Sequence, residues 1–286
     1  MPEPTSPRGG RAGRGGGPGR ARLLLRAVAL GYLAALLVLP VGLVLWRTFA
    51  GGLGPVLSSL ADHSVLHAFQ ITAIVAVAAV VLNTFFGLGV ALLLARHRFA
   101  GKRALNALID LPVAVSPVVV GLALILVYGR FAPVGSWLEG LGFQVIFSLP
   151  GMIIATVFVS LPLVVREVQP VLVEIGIDQE QAAWTLGAGR FTTFRRITLP
   201  AIRWALAYGV VLTLARAMGE FGAVAVVSGR LVDKTQTVTL LVEERFQNFD
   251  QVTAYATSCV MAVIAILTMI AINVLRPTSL AEKESA

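Results

Sequence analysis

Arg216 and Glu220 stand four residues apart in an otherwise almost wholly apolar run, Trp204–Ser228. On a helix this spacing brings the two side chains together. Either charge alone costs ~2.5–3.5 kcal/mol at a bilayer centre. Two readings fit: the helix lines a polar pathway, or the pair is a buried ion pair that orients helices. At about 1.5 Å per residue from Trp204, Arg216 lies ~18 Å and Glu220 ~24 Å along the run. Gly219 and Gly222 beside Glu220 fit a close helix contact or a local break. Ser116, just before Pro117, is a further polar group able to face a cavity. Asp110 reads as an N-cap or membrane-interface residue at the start of its apolar run.

Other reactive residue types form no constellation. His63 and His67 have i, i+4 spacing beside Asp62, and two imidazoles with one acid are better explained by chance than by a metal. Cys259 is the single cysteine, which excludes an intrachain disulfide and a multi-cysteine metal site. The sequence has no H-E-x-x-H and no paired aspartates or Ser-His couple within its apolar runs, so an intramembrane enzyme is disfavoured. It has no G-x-x-x-x-G-K-[ST], hence no phosphate cradle of its own. No catalytic residue, metal or cofactor is expected in this chain.

These residues need elements to hold them, and composition says which. Of 286 residues, 57% are hydrophobic and 13% charged, with a mean hydropathy of +0.83. A soluble domain carries about 25% charged residues. The expectation is an all-α integral membrane protein of about six transmembrane helices: Ala27–Trp46, Ala68–Leu94, Leu108–Val127, Leu149–Val165, Trp204–Ser228 and Val252–Leu275. The first run is too long for a signal-peptide core and is expected to be a retained anchor. Pro112, Pro117, Pro150 and Pro162 mark bends in the third and fourth runs.

Net charge is +8, and its placement sets orientation. Arg8, Arg11, Arg14, Arg20, Arg22 and Arg26 precede the first span. Arg96, Arg98, Lys102 and Arg103 follow the second. Arg166, Arg190, Arg195, Arg196 and Arg203 follow the fourth, and Arg276 and Lys283 follow the last. The alternate loops hold only Arg47, Arg130, Arg230, Lys234 and Arg245. Both termini are therefore expected in the cytoplasm. Residues 1–26 read as a disordered basic tail that touches anionic lipid rather than nucleic acid. Residues 27–275 form the membrane domain, and 276–286 a short cytoplasmic tail.

The loop 166–203 is long and patterned. Asp178 with Gln181 three residues on resembles a capping box. Gln179–Leu186 is made largely of helix formers, and Gly187 stands where a helix-ending glycine belongs. Arg190–Ile197 is expected as a second short helix closed by Leu199-Pro200. Ala182, Ala183 and Leu186 are expected on one face, ringed by Arg190, Arg195 and Arg196. Small residues there admit a close approach by another protein. A hairpin that merely covers its own membrane domain fits the spacing equally well.

Glu180-Gln181-Ala182-Ala183, then Gly187 after three residues, then Ile197-x-Leu199-Pro200 after nine more, resembles the "EAA" loop of ABC-importer permeases. The glutamate of that family's motif is Gln181 here, with Glu180 one place earlier. Either Glu180 substitutes, or a charged contact is replaced by a neutral hydrogen bond. The run Ala215–Gly229, containing Met-Gly-Glu-Phe-Gly-Ala, and Asp110–Gly121 are similar to sulfate/thiosulfate importer permeases of the CysW type. Molybdate permeases share a similar Gly-Glu-Phe-Gly-Ala stretch, so molybdate or tungstate stays open as an alternative.

The resemblance implies a type I importer permease fold whose loop carries a coupling helix that fits a cleft on a separate ATPase. Glu180, Gln181, Ala182, Ala183, Gly187, Ile197, Leu199 and Pro200 would form the coupling loop. ATP and Mg would be bound by that partner ATPase subunit, present in two copies. A second permease subunit of the CysT type and an extracytoplasmic sulfate-binding protein would complete the complex. Under this reading Arg216 attracts a divalent oxyanion, and Glu220 keeps the site from becoming a trap. The implied location is a bacterial inner membrane.

Overall fold

The computed structural model describes residues 18–275. Residues 1–17 of the expected tail 1–26, and the expected tail 276–286, lie outside the described residues. In chain order the helices are α1 (Pro18–Phe49), α2 (Leu53–Leu60), α3 (His63–Arg96), α4 (Lys102–Ala114), α5 (Pro117–Tyr128), α6 (Pro133–Gly140) and α7 (Leu149–Ile175). Then follow α8 (Asp178–Thr185), α9 (Arg190–Thr193), a π-helical turn (Phe194–Thr198), α10 (Leu199–Met218), α11 (Gly222–Val227), α12 (Val238–Gln247) and α13 (Gln251–Leu275). The all-α membrane architecture expected from composition is present: among the described residues, five helices are long and apolar enough to cross a membrane, and α4 with α5 forms a sixth, bent candidate.

Helices α3, α7 and α10 make the centre of the bundle. Close approach is built from small and polar residues, as is usual where lipid supplies no hydrophobic drive. A Cβ at Gly87 of α3 would lie 2.9 Å from Val164 Cβ of α7. Asn83 Nδ2 donates to Ser160 Oγ at 2.8 Å and to the Val157 carbonyl at 3.2 Å across the same pair. The core is layered by depth. Ile71, Val75, Met152, Ala155, Val224 and Leu240 pack at one end. Ala91, Leu94, Val165, Val168, Leu172 and Ile202 pack at the other. Helix α1 buries almost nothing and rests on α13, where Thr48 Oγ1 donates to the Tyr255 carbonyl at 3.1 Å.

Several elements differ from the sequence expectation, each for a physical reason. Helix α1 starts at Pro18 rather than Ala27, because proline at a first helical position costs nothing. The run Leu108–Val127 is not one straight span: α4 and α5 meet at 114°. Pro117 forces Ser116 out of the helical region, to φ −59° and ψ 134°. Asp110 lies inside α4, not at a helix start, and accepts from Arg166 Nη2 at 2.8 Å. Helix α7 runs past Val165 to Ile175 despite Pro162 and Pro170, which shortens the expected loop 166–203 at its start.

The run Trp204–Ser228 is also broken, at Gly219–Phe221, so that Glu220 lies between helices α10 and α11. Leu199-Pro200 does not close a helix; it continues one. The Leu199 N–H reaches back to the Phe194 carbonyl, five residues away. Pro200 has no N–H for the ordinary i→i−4 bond, and the π turn absorbs the missing register. Residues Arg190–Met218 thus form one rod.

Candidate functional site

Two arrangements bring the singled-out residues together. The first is α8, held at the end of α3 and α7. Asp178 is inside this helix, Ile177 is its N-cap residue, and no side-chain cap bond forms; the capping-box expectation fails. The C-terminal expectation is met. Gly187 has φ +83°, its N–H donates to the Trp184 carbonyl at 3.0 Å, and Ala188 N–H donates to the Ala183 carbonyl at 3.0 Å. These are the paired bonds of a Schellman motif.

Glu180 and Ala183 are the buried residues of α8. Gln181, Ala182, Trp184 and Thr185 are exposed, and Leu186 is 89% exposed just beyond them. Ala183 is thus covered while Ala182 and Leu186 are open, so the three do not form the one open face expected. Ala182 and Leu186, four residues apart, are exposed on one side of α8, and Trp184 is exposed on another. Arg190, Phe191, Arg195 and Arg196 are exposed in the segment that follows. Thr198, at the end of the π turn, is buried.

Glu180 points inward. Its Oε1 accepts from Arg96 Nη2 at 2.8 Å and from Thr198 Oγ1 at 2.9 Å. Sequence reasoning used Arg96 only as a topological charge and missed Thr198. A basic residue at a span end was the available signal, and nothing local to it marks a partner 84 residues away.

The second arrangement is a pair of discontinuities. Arg216 Nη1 donates to Glu220 Oε2 at 2.5 Å. Glu220 Oε1 accepts from Ala223 N–H at 2.9 Å, which caps α11. The Glu220 carbonyl accepts from Thr239 Oγ1 at 2.9 Å. The Glu220 side chain is 2% exposed and that of Arg216 37%. The break at Gly219–Phe221 abuts the bend at Ser116-Pro117: a Cβ on Gly222 would stand 3.0 Å from Pro117 Cβ. Similarly, a Cβ on Gly121 of α5 would stand 2.8 Å from Val226 Cβ of α11. Ser116 sits at the vertex of the bend and is exposed, with no side-chain cap bond.

His63 and His67 stack with centroids 6.2 Å apart. His63 Nδ1 lies 3.3 Å from Asp233 Oδ1. Asp62 caps α3 by accepting from Ser64 N–H at 3.1 Å and accepts from Arg245 Nη2 at 3.4 Å.

A bundle of spanning helices interrupted at two adjoining points, with a short helix displayed at one end, is an architecture that membrane transporters use. Residues 86–279 match the family described as "binding-protein-dependent transport system inner membrane component", and the chain belongs to that family. Among its relatives, "Sulfate transport system permease protein CysW" of Synechocystis sp. is 47% identical over 251 residues, covering 88% of this chain and 91% of the relative. The protein of the same name from Escherichia coli (strain K12) is 45% identical over 236 residues, covering 82% and 81%. A chain of a bacterial alginate ABC transporter crystal structure superposes with a TM-score of 0.72 at 16% identity, covering 89% of this chain and 94% of that one; it shares the fold.

Proposed function

We propose that this chain is a transmembrane subunit of an ATP-driven importer that carries sulfate, and thiosulfate with it, across a bacterial inner membrane. Relatives named as sulfate permeases, matched over more than four-fifths of both chains, carry the substrate reading. The displayed helix α8 supports the coupling reading. Its exposed Ala182, Trp184 and Leu186 suit a cleft that wraps the helix on a soluble partner, and the glycine-ended Schellman motif fixes where the helix stops. In this reading Gln181, Ala182 and the neighbouring exposed residues touch the ATPase. Ala183, Gly187, Ile197, Leu199 and Pro200 shape the loop. Glu180 faces the bundle, so Gln181 offers the ATPase a neutral hydrogen bond.

ATP and Mg belong to two partner ATPase subunits. Hydrolysis there supplies the free energy, and this chain transmits it. A second permease subunit of the CysT type and an external binding protein complete the assembly. Movement of α8 switches the spanning helices between inward-open and outward-open states, a two-state equilibrium biased from a partner chain. Discontinuous helices typically line such pathways. The adjoining breaks at Ser116 and Glu220 fit that role, with Arg216 keeping part of its guanidinium open to a dianion. Both termini and α8 lie on the cytoplasmic side, following the Lys and Arg placement.

The test is uptake of radiolabelled sulfate in a sulfate-transport-deficient bacterium that expresses this chain with its ATPase, partner permease and binding protein. Uptake should vanish when this chain is omitted, and excess thiosulfate but not molybdate should inhibit it. A correctly assembled complex that takes up no sulfate refutes the substrate assignment.

A further inference from the structure

The Arg96 side chain joins three helices at once. It leaves the last turn of α3. Its Nη2 donates to Glu180 Oε1 of α8 at 2.8 Å, and its Nη1 donates to the Leu172 carbonyl of α7 at 2.7 Å. Thr198 Oγ1, donating to the same Glu180 oxygen at 2.9 Å, adds the rod that continues into α10. The two charged side chains are 12% and 11% exposed.

Leu172 is in the last turn of α7, where carbonyls lack helical partners and a cation is favoured. The guanidinium thus satisfies an orphan acceptor of one helix and a carboxylate of another. Its own Nε–H is buried with no acceptor among the described residues. A buried pair with a donor left over is weak evidence for stability, since desolvation offsets much of its attraction. Its value is directional: charge-assisted bonds to two fixed acceptors leave little freedom of position.

The backbone joints of α8 make that rigidity matter. Gly176 precedes the helix at φ +71° and Gly187 follows it at φ +83°, and neither has any neighbour within 4 Å of an added Cβ. Both chain connections are therefore open glycine joints. Most of the α8 surface is exposed, and Glu180 and Ala183 are its inward anchors. With the side-chain link cut, α8 can pivot on its glycines without moving α3 or α7.

We infer that Arg96 is the positioning residue that transmits displacement of α8 to the spanning helices, acting through Glu180 and the end of α7. This rests on the importer reading above, and specifies how its coupling helix grips the membrane domain.

The experiment uses the complete complex in proteoliposomes, with Arg96→Lys, Glu180→Gln, Arg96→Ala and the double variant Arg96→Ala/Glu180→Ala. Sulfate moved per ATP hydrolysed is measured beside the amount of assembled complex. Lys retains the charge but lacks the rigid planar fork that holds two fixed acceptors in register, and Gln retains the acceptor oxygen. Both variants should assemble, hydrolyse ATP and transport at a ratio lowered about tenfold, the factor that corresponds to 1.4 kcal/mol of lost coupling. The double variant should lose no more than Arg96→Ala alone, because the two residues act as one unit.

A second readout does not depend on the substrate. Locking the ATPase with nucleotide should change thiol reactivity of a cysteine placed in α7 of the parent complex, and should not do so in Arg96→Lys. An unchanged transport ratio in the Lys and Gln variants overturns the inference. So does an equal fall in transport and hydrolysis, which would mark a simple loss of folded complex. Absence of sulfate transport by the parent complex, with the nucleotide-driven change present there and lost in Arg96→Lys, strikes the substrate reading and leaves the link standing.

Discussion

Glu220 has each oxygen it offers occupied: one carboxylate oxygen by Arg216, the other by Ala223 N–H, and its carbonyl by Thr239. The sequence left open whether the pair orients helices or lines a path. In the structure Glu220 closes the break between α10 and α11, and the Arg216 side chain is 37% exposed. Gly187 is the other residue with a conformational duty. Its φ of +83° admits an L residue only at a cost of roughly 1–2 kcal/mol, more for a β-branched one. Gly187→Val is expected to misplace the end of α8, abolishing most sulfate uptake while the chain still inserts. Membrane-fraction blotting with uptake assays checks both halves; normal uptake in that variant removes Gly187 from the coupling loop.

At the scale of elements, the connection after α11 is tied down by backbone-to-side-chain bonds as well as by the buried Val238, Leu240 and Leu241 that follow it. Thr72 Oγ1 of α3 accepts from Val238 N–H, the first residue of α12, at 2.9 Å. Thr235 Oγ1 donates to the Ser228 carbonyl at 2.5 Å. Replacing Thr72 with the nearly isosteric Val leaves the Val238 N–H buried and unpaired, at about 1–3 kcal/mol. The melting temperature of the purified complex in detergent should fall for Thr72→Val and change little for Ser58→Ala, whose hydroxyl is exposed and bonded within its own helix. Equal melting temperatures would show that α12 is held by other contacts.

The π turn shows why such elements escape a sequence reading. Leu199-Pro200 looks like a helix stop, since proline lacks the donor a helix needs. One shifted bond from Leu199 to Phe194 lets the rod pass through. The same limit applied to Leu108–Val127: hydropathy is blind to direction, and a 114° bend leaves the apolar count unchanged.

Taken whole, the molecule is a two-ended bundle, with α8 at one end and α6 and α12 at the other. The charge bias predicts that the α8 end faces the cytoplasm. In a Cys259→Ser background, an impermeant maleimide on intact cells should label Ser136→Cys in α6 and should label Thr185→Cys in α8 only after permeabilisation. The reverse pattern inverts the topology.

The helical membrane class, five of the spans and the Arg216–Glu220 pairing were legible without coordinates, because hydropathy and i, i+4 spacing are local properties of a chain. The Gly187 helix end was legible for the same reason: a left-handed residue announces itself by type. The inward turn of Glu180, its grip by Arg96 and Thr198, and the meeting of the Ser116 bend with the Glu220 break were decided only in three dimensions. Each depends on which helices lie side by side, and partners 84 residues apart leave no periodic trace in one sequence.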